Sequence, residues 1–229
     1  MRKILMAACL AAFSAGLPAL DFSLHGGYTT LDMGELNHAN ASLMGYNGDG
    51  NAPAVQSGVV LGADLTQATA LPWLRVGLRL ETLQSNLSEI KIDGGSYCFS
   101  DQAALSDLTL GLQTSASGPA GLRIGLVGWL GYGYATLKQR DLAGGYVQSA
   151  LFMGSLPVAE AEVSLAYDLG KRVHVSLNGG WRWANAGYLY DDTHQALVNN
   201  DFYFSNSTMT PINVDYSGVT GQGSVSYSF

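Results

Sequence analysis

The eleven residues from Val219 to Phe229 alternate in polarity without a break. Val219, Val225, Tyr227 and Phe229 share one parity, with Gly221 and Gly223 between them, and Thr220, Gln222, Ser224, Ser226 and Ser228 take the other. Successive side chains of a β-strand point to opposite faces, so this pattern describes a strand with one apolar and one polar face. The stretch ends on an aromatic residue with no polar tail, and the strand is expected to belong to the structure up to its carboxylate.

Seven earlier segments pass the same test. Leu20, Phe22, Leu24 and Tyr28 oppose Asp21, Ser23, His25 and Thr29, and Val59, Leu61, Ala63 and Leu65 oppose Gln56, Gly58, Gly62 and Asp64. Leu74, Val76, Leu78 and Leu80 alternate with Arg75, Gly77, Arg79 and Glu81, and Leu108, Leu110 and Leu112 with Asp107, Thr109, Gly111 and Gln113. The fifth sets Leu122, Ile124, Leu126, Leu130, Tyr132 and Tyr134 against Arg123, Gly125, Gly131 and Gly133, with Val127 and Trp129 breaking the rule on the polar side. Ala161, Val163, Leu165 and Tyr167 oppose Glu160, Glu162, Ser164 and Asp168; Val173, Val175, Leu177, Trp181 and Trp183 oppose His174, Ser176, Asn178, Gly180 and Arg182. The eighth strand runs from about Ile212 to Phe229, and its parity change near Ser217-Gly218 predicts a bulge.

The connections alternate in length. Long segments, Leu31–Ala54, Ser85–Ala103, Leu137–Ser149 and Gly187–Pro211, follow the odd strands; short ones, Thr66–Pro72, Ser115–Gly121 and Asp168–Arg172, follow the even strands. Long loops on one side, with short turns and both termini on the other, are the arrangement of an outer-membrane barrel. Composition decides which face points outward. The polar face is rich in Gly, Ser and charge, which suits the narrow lumen of eight strands, and the Leu, Val, Ile and aromatic face suits lipid. Charged residues are 13% of the chain, against about 25% in soluble domains. The expected fold is all-β, an eight-stranded antiparallel up-and-down transmembrane β-barrel.

The N-terminus carries a matching address. Arg2 and Lys3 precede an apolar Ile4–Phe13 core and a small-residue exit from Ser14 to Ala19. This reads as a secretory signal peptide over residues 1–19, cut after Ala19 with Ser14 or Gly16 as alternatives, and a barrel domain over 20–229. Cleavage would leave Cys98 as the one cysteine, so no intramolecular disulfide would hold the fold. With Arg2 and Lys3 gone, nine basic residues face eighteen acidic ones, a net charge of −9. That balance excludes nucleic-acid binding through a basic surface.

The terminal aromatic with apolar residues at alternate positions before it resembles the C-terminal signal of bacterial outer-membrane β-barrels. The resemblance implies export to the outer membrane of a Gram-negative cell and recognition by the barrel-assembly machinery. The architecture as a whole resembles the small barrels of the OmpA and OmpX type, within the porin-like β-barrels. It implies outer-membrane lipid and lipopolysaccharide as surroundings, and carries no cofactor, metal or catalytic residue.

Several constellations are candidates for chemistry. Arg75, Arg79, Glu81, Arg123, Glu160, Glu162 and Arg182 all fall on the inward face. They form either a charged gate for ions or a plug of paired charges that fills a closed lumen. Glu160 or Glu162 can meet Arg182 or His174 only if the register allows it, and the tight turn places both glutamates nearer Asn178 and Gly180. His174-Val175-Ser176 resembles the His-x-Ser motif of lipid A deacylases, but Leu177 stands where that family has Asn, and His174 lies at the periplasmic end. Asp191-Asp192-Thr193-His194 resembles the Asp-x-His pair of omptin proteases without their second acidic pair. Asn47-Gly-Asp-Gly-Asn51 has the oxygen-rich look of a weak calcium site but lacks the spaced ladder of an EF-hand. Asp32, Glu35, Asp49, Glu89, Asp93, Asp101, Asp191, Asp192 and Asp201 make the outer loops acidic. Trp73, Tyr167 and Tyr227 on the periplasmic side, and Tyr132, Tyr134, Trp181 and Trp183 on the outer side, read as interface girdles.

Two function classes follow. One is a non-enzymatic surface barrel whose loops meet an extracellular partner or whose body supports the membrane. The other is a narrow channel or transporter, for which the glycines at 125, 131 and 133 leave local space; a loop-borne hydrolase is a distant third. Mass spectrometry of the protein recovered from outer membranes is expected to give a chain beginning at Leu20, and a start at Ala15 or Leu17 would move the cleavage site to Ser14 or Gly16.

Overall fold

The computed structural model describes residues 20–47, 54–71, 73–92, 97–143, 146–198 and 211–229. The expected signal segment 1–19, the Asp49 tip, Asp93 and Asp201 lie outside the described residues. In chain order the main elements are β1 (Leu20–Thr30), α1 (Gly34–Asn47), β2 (Ser57–Ala68), β3 (Leu74–Ser85), β4 (Ser88–Ile92), β5 (Tyr97–Ser117), β6 (Leu122–Ala143), β7 (Tyr146–Asp168), β8 (Val173–Trp183), β9 (Asn185–Tyr188), β10 (Asn213–Asp215) and β11 (Gly218–Ser228).

Eight of these strands close a ring in the order β1-β2-β3-β5-β6-β7-β8-β11, with β11 returning to β1 and every pair antiparallel. The seam runs from Asp21↔Ser228 to Thr29↔Thr220. At one end the ring is joined by short turns. Between β5 and β6 the chain reverses through Ala120 and Gly121, both at positive φ, and between β7 and β8 Leu169 N–H donates to Val173 O at 3.0 Å.

The alternation sets the two faces as expected. Leu110, Leu126, Leu130 and Leu177 are each about two-thirds exposed on the outside, whereas Asp21, Ser23, His25 and Thr29 are buried inside. The exposed apolar surface is a belt. Tyr132 lies ten residues beyond Leu122 on β6, and at about 3.4 Å per residue and a tilt near 40° the rise is about 26 Å, the height of a lipid-facing band. Trp73, Tyr167 and Tyr227 edge it below and Tyr132, Tyr134, Trp181 and Trp183 above, all facing outward.

Three expectations are corrected at the outer end. The connection at Leu137–Ser149 is no long loop: β6 runs to Ala143 and β7 starts at Tyr146, so the hairpin projects beyond the belt. Within Ser85–Ala103, β4 pairs with the extension of β5. The eighth strand is not one bulged strand. Its parity changes because the chain changes sheets: β10 pairs with β9 outside the ring, and β11 enters the ring at Gly218.

An accessibility test checks the orientation. In a Cys98→Ser background, a cysteine at Thr193 is expected to react with a membrane-impermeant maleimide on intact cells, and one at Gly170 only after the outer membrane is breached. The reverse pattern would invert the barrel.

Candidate functional site

The interior is stacked in three layers, each built from the inward parity of the strands. The lowest lies next to the short turns. Arg123 Nη2 lies 2.6 Å from Asp168 Oδ1, which also lies 2.7 Å from His174 Nδ1. His174 Nε2 is 2.9 Å from Ser228 Oγ, Ser228 Oγ donates to Asp21 Oδ1 at 2.6 Å, and Arg75 Nη2 meets Asp21 Oδ2 at 2.5 Å. The chain Arg123–Asp168–His174–Ser228–Asp21–Arg75 thus crosses the lumen floor, beside a polar cavity of about 50 Å³ that Gln113, Ser115 and Gly125 also line. At this volume the cavity has room for a few waters.

Above it sits the ion layer. Arg79 is its centre: Nε donates to Asp64 Oδ1 at 2.9 Å, and Nη1 reaches Glu160 Oε2 and Glu162 Oε1, each at 3.2 Å. The guanidinium lies 4.3 Å from the centroid of the Trp129 ring, whose Nε1 donates to Glu162 Oε2 at 3.3 Å. The cation therefore has a carboxylate cage in its plane and an aromatic face against it. Arg182 pairs with Glu81 and lies 3.5 Å from Glu160 Oε2. Glu81 Oε2 also accepts from Gln222 Nε2 at 3.0 Å and lies 3.0 Å from His25 Nε2. With Asp107 and Thr109 inward on β5 at the same level, all eight ring strands contribute.

The expected lumen charges are therefore inward but not together. Arg79, Glu81, Glu160, Glu162 and Arg182 share the ion layer, and Arg75 and Arg123 belong to the floor. The register pairs Glu160 with Arg182 and Glu162 with Gly180, while His174 pairs with Asp168. Sequence reasoning passed over His25, Asp64, Asp107, Trp129 and Gln222, although each shares parity with an inward residue on its strand. Trp129 does not break the pattern; it is the inward partner of Arg79. The layer is acidic: Asp64, Glu81, Asp107, Glu160 and Glu162 face two arginines and His25.

The third layer was not expected. Above the charges the inward face turns apolar, with Val60, Leu83, Leu105, Leu137, Leu156 and Val158 fully buried. They pack against Met33, just before α1, against Leu36 and Ala39 of α1, and against Leu189, Leu197, Val214 and Tyr216 of the last connection. Polar clamps fix this cap: Asn37 bonds both N and O of Val55, Asn40 Nδ2 donates to Asp101 Oδ2 at 2.9 Å, and Tyr216 Oη donates to Thr136 O at 2.9 Å. Asp101 is thus a buried anchor, not a loop-tip charge. The expected space at two glycines is filled as well: a Cβ on Gly133 would lie 2.7 Å from Leu105 Cδ1 and 3.0 Å from Val158 Cγ2, and Gly131 lies against Leu108 and Thr109.

The remaining motifs are held by local geometry. Ser176 Oγ bonds Ser224 Oγ at 2.7 Å, whereas His174 bonds Asp168 and Ser228, so the two form no dyad. Asp191 Oδ1 accepts from the backbone N–H of Thr193 and of Gln195 and from the Thr193 hydroxyl. The Gln195 N–H and the Thr193 side chain hold the Asp191 carboxyl below the usual carboxylate range. Glu35, in the first turn of α1, accepts from Asn213 N–H at 2.7 Å. Cys98 is a half-buried free thiol on β5. Among the described residues no group of three His, Cys, Asp or Glu side chains is placed to hold a metal ion.

Replacing Arg79 by Gln leaves Glu162 without a cation and Asp64 and Glu160 with only a 3.5 Å contact to His25 and to Arg182, and is expected to cost about 3–5 kcal/mol. The measurement is the urea midpoint of the barrel refolded in lipid. Adding Glu162→Gln is expected to restore part of the loss, and a loss below about 1 kcal/mol would show that Arg79 does not carry the layer.

No family model and no curated protein matches this chain. Solved structures do. A major outer membrane protein from Thermus thermophilus is similar over 92% of this chain and 99% of its own, with a TM-score of 0.50 and 13% identity. The outer membrane protein OprG from Pseudomonas aeruginosa is similar over 93% of this chain and 98% of its own, with a TM-score of 0.46 and 16% identity. The outer membrane protease OmpT from Escherichia coli is similar over 94% and 98%, with a TM-score of 0.47 and 8% identity. The closed ring of eight strands, its lipid-facing belt and the likeness to the Thermus protein give this chain the fold of the bacterial outer-membrane β-barrels.

Proposed function

We propose that the protein is a non-enzymatic barrel of the outer membrane whose lumen is closed and whose activity resides in its outward-projecting end, in surface interaction or in support of the membrane. The observation that carries this reading is the double closure of the bore. An ion layer drawn from all eight strands is topped by an apolar cap built from two separate connections, the first and the last. Either layer alone opposes passage of a hydrated solute: the first leaves little free bore, and the second offers no polar partner to an ion. The acidic character of the outer end supports the surface role, with Asp32, Glu35, Asp191 and Asp192 in or beside its cap. Against a hydrolase stand the separate partners of His174 and Ser176 and the use of Asp191 in a turn.

A second reading, a narrow path for small cations, draws on the floor cavity and on the excess of carboxylates above it. Conductance separates the two. The mature chain, shown to be folded by heat-shifted mobility on a gel, is expected to be silent in a planar lipid bilayer. Steady unitary steps would overturn the closed lumen and make Arg79, Glu160 and Glu162 channel residues.

A further inference from the structure

The distribution of basic residues points to a second site, outside the barrel. Eleven Lys and Arg occur in the chain. Arg2 and Lys3 lie in the signal segment, Arg75, Arg79, Arg123 and Arg182 point into the lumen, and Lys171 and Arg172 sit on the turn between β7 and β8. The remaining three, Lys91, Lys138 and Arg140, all belong to the sheet β4–β5–β6 that projects beyond the outer aromatic girdle.

They also share one face of it. Leu137 is fully buried against the cap, so Lys138 and Arg140, both on the alternate parity of β6, take the opposite, outward face. Their cross-strand neighbours are Gln102 and Ser100 on β5, and Leu151 and Ser149 on β7, with no acid among them. Glu89 stands across from Ser100 on the far side of β5 and is taken by Lys91, at 2.7 Å. Lys138 and Arg140 follow Tyr134 by four and six residues on the same face, which puts them about 10 and about 16 Å above that girdle residue. Other acids of the outer end are engaged elsewhere: Glu35 accepts from the Asn213 N–H, Asp101 is buried against Asn40, and Asp191 is held in its own turn.

We propose that Lys138 and Arg140 form a docking site for the phosphate-bearing headgroup of the outer-leaflet glycolipid, lipopolysaccharide. This inference rests on the outer-membrane reading above. Two cations with no acid across from them, spaced along one strand on the wall that faces lipid and just above the hydrocarbon edge, meet the anionic headgroup layer and not bulk solvent. The hydroxyls of Ser100 and Ser149 and the amide of Gln102 flank them as further donors. On a chain with net charge −9 after cleavage, such a basic flank counters the repulsion that its acidic end would meet from the same phosphates.

The test uses the mature chain refolded in phosphatidylcholine vesicles with and without lipopolysaccharide. Heat-shifted mobility reports folding in each, so a wild type that fails to insert counts against the outer-membrane reading and not against the site. The readout is the affinity for lipopolysaccharide after detergent extraction. Lys138→Gln with Arg140→Gln is expected to weaken it about 30-fold, and each single change about fivefold. Lys171→Gln with Arg172→Gln, at the opposite end, is expected to leave it unchanged. Binding by the first pair at wild-type strength, equal weakening by both pairs, or equal affinity for dephosphorylated lipopolysaccharide would each overturn the proposal. So would complete displacement by inorganic phosphate at low millimolar concentration, which would mark a site for the free anion.

Discussion

The seam between β1 and β11 is the constraint on which the rest of the molecule depends. Hydrocarbon offers no partner to an unpaired N–H or C=O, so a sheet that crosses it must have no edge. Pairing from Asp21↔Ser228 to Thr29↔Thr220 removes the last one. Closure with eight strands then sets the bore at the width of the side chains themselves. Inward residues then have to be satisfied chiefly by one another, and the interior becomes a packing problem.

The molecule solves that problem differently at different heights. At the floor, where solvent still reaches Arg123 and Asp168, short polar links suffice. In the middle, buried charges are tolerable only when each finds opposite charge and hydrogen bonds. Arg79 meets three carboxylates and the face of Trp129 because its planar fork serves several acceptors at once, which a lysine could not do. Toward the outer end the wall rises beyond the hydrocarbon into headgroups and water, and burial of apolar surface again stabilises. There the inside is apolar for the same reason that the outside is apolar lower down: each apolar face avoids water.

This change of rule explains what was legible along the chain. Leu108, Leu110 and Leu112 against Asp107, Thr109 and Gly111 announce a strand with lipid on one side and a polar lumen on the other, and β5 has that arrangement. The upper half of β7 announces nothing of the kind. Leu156 and Val158 face the cap while Pro157 and Ala159 face out, so the polarity contrast fades and period two assigns the stretch to no strand. The same holds for Leu137 on β6. Trp129 looked like an exception because an aromatic on the polar face has no one-dimensional explanation; its partner Arg79 is two strands away and fifty residues earlier. The helical segment α1 shows no apolar stripe at helical spacing, and its buried side is plain only once Leu36 and Ala39 are seen against the last connection.

By itself the sequence determined the number of ring strands, their faces, the end that carries the long connections, and the residues that meet lipid. These follow from a period of two and from loop length, which are local properties of a chain between water and hydrocarbon. Only the tertiary structure decided which charges share a layer, that Arg75 and Arg123 stand apart from the rest, and that apolar side chains pack above the charges. Those depend on register between strands and on segments far apart in the chain meeting inside the ring, and period two carries no information about either.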